Sequence, residues 1–386
     1  MLNKREGERV PTGIVGGSGY GGAELIRLIS GHPGLQLEAI AAGSSAGARI
    51  DEALPHLAGL PATDGVFLPA EPDVLSGCEL VFLATPHATS LELAPGLLDH
   101  GATVVDLSGA FRLDAATFET WYGLEHTAVD LAPAPYGLPE LFRSTLRGAR
   151  LIAGPGCYPT ATLLALTPLT GLIERDSVVV VGMSGTSGAG KGLRDDLHSS
   201  HAFGNAAAYG APGHRHTPEI EARWAEAARL AGTAHDPSDG EGDRGGEGEG
   251  GPDADGGGGV DRDGGSTPLT FVPHLIPTAR GQLCTVSAVL RAGATADDVG
   301  DRFAGMYKGE PFVTVLGEGA WPATTHVVGG NAAHIGVATD ARTGRVTVSC
   351  AIDNLIKGAS GQALQAANAA LGFDEGLGLT PAGLYP

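Results

Sequence analysis

The chain has 386 residues, 42% hydrophobic and 18% charged, with a formal net charge of −20. That length supports two ordinary domains with sizeable cores, and the acidic balance argues against nucleic acid as a partner, since phosphate binding needs a basic face. No apolar run reaches the roughly 18 residues of a spanning helix, and the charged start over residues 1–9 is not a secretory signal. Four cysteines in a chain this long are not a disulfide framework. Cys78, Cys284 and Cys350 lie in apolar or β-branched runs and are expected to be buried strand residues. A reducing, cytoplasmic compartment follows.

In chain order, residues 13–15, 37–41, 80–84 and 103–106 predict short strands, with helical patterns at 23–30 and 90–100 between them. Alternating strands and helices predict an α/β fold with a doubly wound, Rossmann-type parallel sheet. The run GGSGYGG follows the first strand and opens the first helix. Gly16, Gly19 and Gly22 serve a tight turn, a close approach to pyrophosphate and close helix packing; Ser18, Tyr20 and Gly21 complete the cofactor turn. The second strand ends at Ala42-Gly43-Ser44-Ser45, with Arg49 shortly after and no acid at the ribose position. Ser44, Ser45 and Arg49 suit a 2′-phosphate, so NADP(H) is favoured over NAD. After the strand at 103–106, Arg112 is placed to hold a phosphate or carboxylate in bidentate fashion.

Cys157 follows Gly156 at the entry to a helical pattern over 161–169. A helix N-terminus favours negative sulfur, so a thiolate nucleophile is expected there. The loop 184–191 follows another strand. Its Ser184, Ser187 and Gly188 are read as an anion-binding glycine-serine turn; Gly192 after Lys191 breaks the P-loop spacing. His214, Arg215 and His216 lead into a helical pattern at 219–230 and offer proton transfer together with an anion clamp. Residues 233–266 hold ten acidic residues and two arginines among glycines, the composition of a disordered insertion. From 178 onward the chain is β-rich, with strands predicted at 178–183, 270–275, 283–290, 312–316, 333–339 and 346–352, which predicts a second, α+β domain. A final helical pattern at 361–371 returns to the first domain. A cysteine nucleophile beside NADP points to one chemistry: an acyl group passes to sulfur as a thioester and is reduced to an aldehyde.

Seven motifs lie in sequence order: G-x-x-G-Y-x-G-x-E-L from Gly16, D-L-S-x-x-F-R-L from Asp106, Y-G-L-P-E-L from Tyr136, G-C-Y-P-T from Gly156, S-G-x-S-G-A-G from Ser184, H-R-H-x-P-E-I from His214 and D-N-L-x-K-G-A from Asp353. With them the chain resembles the N-acetyl-γ-glutamyl-phosphate reductases of arginine biosynthesis, relatives of the aspartate-semialdehyde dehydrogenases, over nearly its whole length outside the acidic insertion. The resemblance implies NADPH-dependent reduction of N-acetyl-L-glutamyl 5-phosphate, a small-molecule acyl phosphate, to the 5-semialdehyde. It implies Cys157 as nucleophile, His216 as acid/base, Asn354 near the nicotinamide, and Arg112, Ser184 and His214 on the substrate. It further implies a homo-oligomer, dimer or tetramer, with no metal. The expected domains are 1–156 with 354–386 for NADP and 157–353 for catalysis, interrupted at 233–266. Two departures are the insertion itself and the small Gly109-Ala110 pair. Rival readings are the reductase of carrier-bound α-aminoadipyl phosphate in lysine biosynthesis, which would share the motifs, and a nucleotide sensor without chemistry, which would need neither Cys157 nor His216.

Overall fold

The computed structural model describes residues 9–231 and 268–385; the acidic run 233–266 lies outside the described residues. The first half comprises β1 (Val10–Val15), α1 (Tyr20–Ser30), β2 (Leu35–Ala41), α2 (Ile50–Ala53), β3 (Leu80–Leu83), α3 (His87–Asp99), β4 (Thr103–Asp106), α4 (Ala115–Tyr122), α5 (Pro139–Leu146) and β5 (Leu151–Ala153). The five strands form one sheet in the order β2-β1-β3-β4-β5, with every pair parallel. β3 is buried along its whole length, because a parallel sheet is covered on both faces. Leu25, Ile26 and Ile29 of α1 pack on one face; Leu91, Leu93 and Leu97 of α3 pack on the other. The strand order reverses between β1 and β3. At such a switch point a crevice opens beyond the carboxyl ends of the strands, and the turns after β1, β3, β4 and β5 all face it.

The second half begins with α6 (Cys157–Leu166) and continues through β6 (Val179–Gly185), α7 (Ser199–Ala202), β7 (Ala207–Ala208), α8 (His216–Leu230), β8 (Thr270–Ile276), β9 (Gln282–Val289), α9 (Ala296–Met306), β10 (Val313–Val315), β11 (Ala333–Asp340), β12 (Arg345–Ile352) and α10 (Gly361–Leu371). A mixed seven-stranded sheet runs β10-β11-β12-β9-β6-β8-β7. β9, at its centre, alternates buried and half-buried residues. α6 lies against β9, β12 and α8, and every residue from Tyr158 to Leu166 is buried. Cys157 therefore heads a helix held by buried packing along its length.

The chain then returns to the first sheet. Ala363, Leu364, Ala366, Ala367 and Ala370 of α10 share a core with Ile26 and Phe82. A π-helical turn, Ile356–Ser360, joins β12 to α10. Within it, the fully buried Lys357 ammonium donates to Glu140 at 2.5 Å and to Gln365 at 2.8 Å.

Several boundaries differ from expectation. α6 begins at Cys157 rather than at 161, and α8 at His216 rather than at 219. Each has a proline in its first turn, Pro159 and Pro218, where the missing N–H has no intrahelical partner to lose; those prolines sit inside the helices. Cys284 and Cys350 are buried strand residues facing each other in register. Cys78 is buried but lies in the turn before β3, not in a strand.

The buried Lys357–Glu140 pair yields a stability prediction. Lys357→Ala leaves a carboxylate uncompensated and costs about 3–5 kcal/mol, read as a lowered urea midpoint. The double variant Lys357→Met/Glu140→Leu recovers most of that loss, because no buried charge remains unpaired. A double variant as unstable as the single one would contradict the reading.

Candidate active site

The turn after β1 is shaped by contacts that admit only glycine. Gly16 has φ +85°, and a Cβ there would lie 2.2 Å from the Ala84 carbonyl oxygen; at Gly22 it would lie 2.2 Å from the Gly16 oxygen. α1 starts at Tyr20 with Gly19 as N-cap, no side-chain cap and no acid in its first turn. Its first N–H groups are thus open to an anion. Lys191, from the loop after β6, donates to the Ser18 carbonyl at 3.1 Å, which places a cation over the same turn. These residues fit a dinucleotide pyrophosphate.

The turn after β4 is held by Asp106, fully buried. Its carboxylate accepts from the Ser90 and Ser108 hydroxyls, each at 2.7 Å, and from the Ser108 N–H at 3.1 Å. This fixes the path to Arg112, whose guanidinium spends three of its five donors inside the protein: on the Gly154 carbonyl at 2.8 Å, the Leu107 carbonyl at 2.8 Å and Glu219 at 3.1 Å. Arg112 thus serves first as a strut, with two N–H groups left over. The small pair at Gly109-Ala110 also has a cause: a Cβ at Gly109 would lie 2.3 Å from the Tyr122 hydroxyl.

After β5 the chain passes Gly156 to Cys157, the first residue of α6. Gln282 donates to the Cys157 carbonyl at 2.7 Å. Gly358 packs so closely that its Cβ would lie 2.8 Å from that of Cys157. At Gly156 a Cβ would lie 2.6 Å from Nε2 of His216 and 2.8 Å from Nη1 of Arg112, so glycine lets imidazole and guanidinium reach the cysteine. Glu219 closes this arrangement. It is completely buried and accepts from the Tyr136 hydroxyl at 2.7 Å, the Gly156 N–H at 2.9 Å and Arg112. No sequence signal gave Glu219 this role beyond its place in H-R-H-x-P-E-I.

The thiol does not rest as a thiolate. Burial pushes it up to about 11, against the opposing pull of the Tyr158 N–H and Arg112. The expected thiolate is corrected: in this tightly packed corner desolvation outweighs the helix N-terminus. His216 is held well below the ordinary imidazole range by burial, with His214, Arg112, Arg215 and His87 adding to it. Among the described residues nothing hydrogen-bonds its Nδ1. The pair is therefore neutral thiol beside neutral imidazole. His214 packs edge-on to His216, with ring centroids 4.9 Å apart, and its Nδ1 accepts from the His216 N–H at 3.2 Å.

A cavity of about 700 Å³ joins these parts. Gly19, Tyr20 and Gly21 of the glycine turn line it, as do Cys157, His216, His214 and Arg112. Ser184, Ser187, Gly188 and Asn354 line it too. Gly16 and Gly22 shape the turn without lining the cavity, and Ser18 lines an adjoining cavity of about 900 Å³ together with Lys191. Ser44, Ser45 and Arg49 line neither cavity. Arg49 is exposed and paired with Asp51 at 2.6 Å and Glu52 at 3.6 Å. The loop after β6 is not a nest of free N–H groups: those of Gly185, Thr186 and Ser187 donate to the carbonyls of Gly281, Thr278 and Ala279. It presents side chains instead, and Ser187 accepts from the Asn354 amide at 2.9 Å.

Two family descriptions match the chain: the NAD binding domain of semialdehyde dehydrogenases over residues 11–149, and their dimerisation domain over 157–236 and 260–354. The architecture agrees. Aspartate semialdehyde dehydrogenase II of Vibrio cholerae, solved with ASA, superposes with a TM-score of 0.65 at 17% identity, covering 94% of this chain and 98% of that one. Aspartate semialdehyde dehydrogenase of Candida albicans, solved with NADP, gives 0.58 at 17%, covering 93% and 97%. The class is thus a semialdehyde dehydrogenase. The N-acetyl-gamma-glutamyl-phosphate reductase of Pelotomaculum thermopropionicum is 41% identical over 98% of this chain and 99% of its own, and that of Arthrobacter sp. 42% over the same shares. The chain belongs to the N-acetyl-γ-glutamyl-phosphate reductase family.

Two predictions follow from the geometry. Gly156→Ala displaces His216 and Arg112 from the sulfur and lowers kcat by ~10²-fold, with cofactor affinity unchanged by fluorescence titration. Iodoacetamide alkylation of Cys157 in the free enzyme accelerates with each pH step from 6 to 10, because the thiol deprotonates only near pH 11. A plateau reached below pH 8 would mean a resting thiolate.

Proposed function

We propose that the chain reduces N-acetyl-L-glutamyl 5-phosphate to N-acetyl-L-glutamate 5-semialdehyde with release of phosphate, using NADPH and Cys157. The observation that carries this is the buried Glu219 carboxylate, which holds Gly156 and Arg112 on an α8 that also presents His216. A nucleotide sensor would have no need for such a corner. The relatives' names favour the acetylglutamyl substrate over the aminoadipyl one.

The turn of Gly16, Ser18, Gly19, Tyr20, Gly21 and Gly22, with Lys191 on the Ser18 carbonyl, would hold the pyrophosphate of the cofactor. Ser187, Gly188 and Asn354 would hold its nicotinamide end, and Ser44, Ser45 and Arg49 would receive the 2′-phosphate. When bound, NADPH supplies the hydride. The protein's own part is acyl and proton transfer. As Cys157 sulfur bonds to the acyl carbon, its proton passes to His216 and the bond from carbon to phosphate oxygen breaks. A neutral imidazole next to a neutral thiol suits this transfer, since the base is free to accept when the nucleophile moves. The tight apolar seat of α6 keeps the thioester from wandering, and the cavity walls limit water. When the aldehyde leaves, His216 returns the proton to the sulfur. Arg112, Ser184 and His214 bound the substrate, Arg112 through its two remaining N–H groups.

We place the NADP domain at 1–156 with 354–386 and the catalytic domain at 157–353; the two sheets and the return of α10 to the first of them support this. The match to a dimerisation domain supports a homodimer or homotetramer. No helix among the described residues is long and apolar enough to cross a membrane, in keeping with a cytoplasmic biosynthetic enzyme.

Phosphate-dependent NADP reduction tests the reading. N-acetylglutamate semialdehyde is expected to outperform aspartate semialdehyde by at least ~10²-fold in kcat/KM, the size of discrimination a site with dedicated polar contacts reaches. Cys157→Ser loses more than ~10³-fold in turnover while still binding NADPH. Near-normal turnover in that variant, or a preference for aspartate semialdehyde, would sink the assignment.

A further inference from the structure

His87, the first residue of α3, is fixed in an unusual way. The Gly109 N–H donates to its Nδ1 at 2.9 Å. A backbone N–H can only donate, so Nδ1 carries no proton and the single proton of the neutral ring sits on Nε2. Yet Nε2 faces Nη1 of Arg215 at 3.1 Å, and a guanidinium has donors only. Two donors thus point at each other. Burial, followed by the charges of Arg112 and Arg215, lowers the imidazole to about 4, so the ring stays neutral and the conflict persists at working pH. Tyr122 completes the cluster. Arg215 stacks over its ring at 5.3 Å, and His87 meets it edge-on at 4.8 Å. Burial raises the Tyr122 phenol to about 12, so it keeps its proton. Among the described residues no carboxylate pairs with Arg215. All three side chains line the same cavity as Cys157.

Facing donors around an opening are reconciled by an acceptor that takes both hydrogens. An oxyanion does so, accepting from the imidazole N–H, the guanidinium and the phenol, with charge assistance from Arg215. We propose that His87, Arg215 and Tyr122 form an oxyanion subsite for one anionic end of the acyl phosphate, its phosphate or its carboxylate. This rests on the substrate class assigned above and adds three residues to it. It also gives the close contact of Gly109 with Tyr122 a purpose: the glycine admits the phenol to the subsite.

Two measurements test the proposal on the full chain. The first is protection of Cys157 from iodoacetamide without cofactor, using inorganic phosphate and N-acetyl-L-glutamate as separate probes. At least one protects the unaltered protein, and Arg215→Ala weakens that protection at least ~10-fold in the concentration required, the range of one lost charged hydrogen bond. Arg215→Lys restores part of it, and Tyr122→Phe weakens it less. The second is the reverse reaction, in which phosphate and semialdehyde are separate substrates. A raised KM for phosphate in Arg215→Ala assigns the subsite to the phosphate end, and a raised KM for the semialdehyde assigns it to the carboxylate end. If Arg215→Ala changes neither protection nor either KM, the subsite does not exist. If the protein lacks reductase activity but loses protection in Arg215→Ala, the anion site stands and the assigned reaction falls.

Discussion

The site depends on one buried carboxylate. Glu219 sits in α8 with no exposure and binds Arg112, Tyr136 and the Gly156 N–H. Those partners come from three other segments, so a single side chain ties the turn after β4, the stretch before α5 and the approach to Cys157 to α8. His216 lies three residues before Glu219, on the same side of the helix. Whatever fixes Glu219 therefore fixes the imidazole against the cysteine. Arg223, one turn further on, stacks over the Tyr136 ring at 4.7 Å and steadies that partner in turn. Such a network is strong only when complete, because each partner left alone would be a buried, unsatisfied polar group.

The same desolvation decides the protonation states. Burial raises the Cys157 thiol and lowers the His216 imidazole, so both rest uncharged. A helix start alone would favour thiolate, but half a helix charge does not outweigh a packed, apolar seat between α8, β9 and the π-turn. A neutral sulfur is a weak nucleophile until its proton has somewhere to go. Cys284 and Cys350, deep in the second sheet, are raised by burial as well.

Much of this was legible in the sequence. The glycine turn, the strand-helix alternation, Cys157 and the H-R-H run mark themselves by residue type and local spacing. Local spacing was less reliable at Pro159 and Pro218, where first-turn prolines concealed four helical residues before the predicted start at 161 and three before that at 219. It also misjudged the loop after β6, whose N–H groups are taken by carbonyls at 278–281 that no short window contains. Glu219 illustrates the larger limit. Its meaning lies in partners 63 to 107 positions away, and a glutamate in a helix ordinarily faces water. The donor conflict at His87 was equally hidden, since it needs Gly109 and Arg215 brought to the two sides of one ring.

The central claim is that Cys157 takes the acyl group before any reduction. Intact-protein mass spectrometry after mixing the enzyme with N-acetylglutamyl phosphate, with NADPH left out, tests it most directly. The expected result is an acyl adduct that peptide mapping places on Cys157, formed with about one equivalent of phosphate released per active site, the burst that marks covalent catalysis. An unmodified Cys157 with no phosphate burst, from enzyme shown to be active when NADPH is added, would contradict the thioester route.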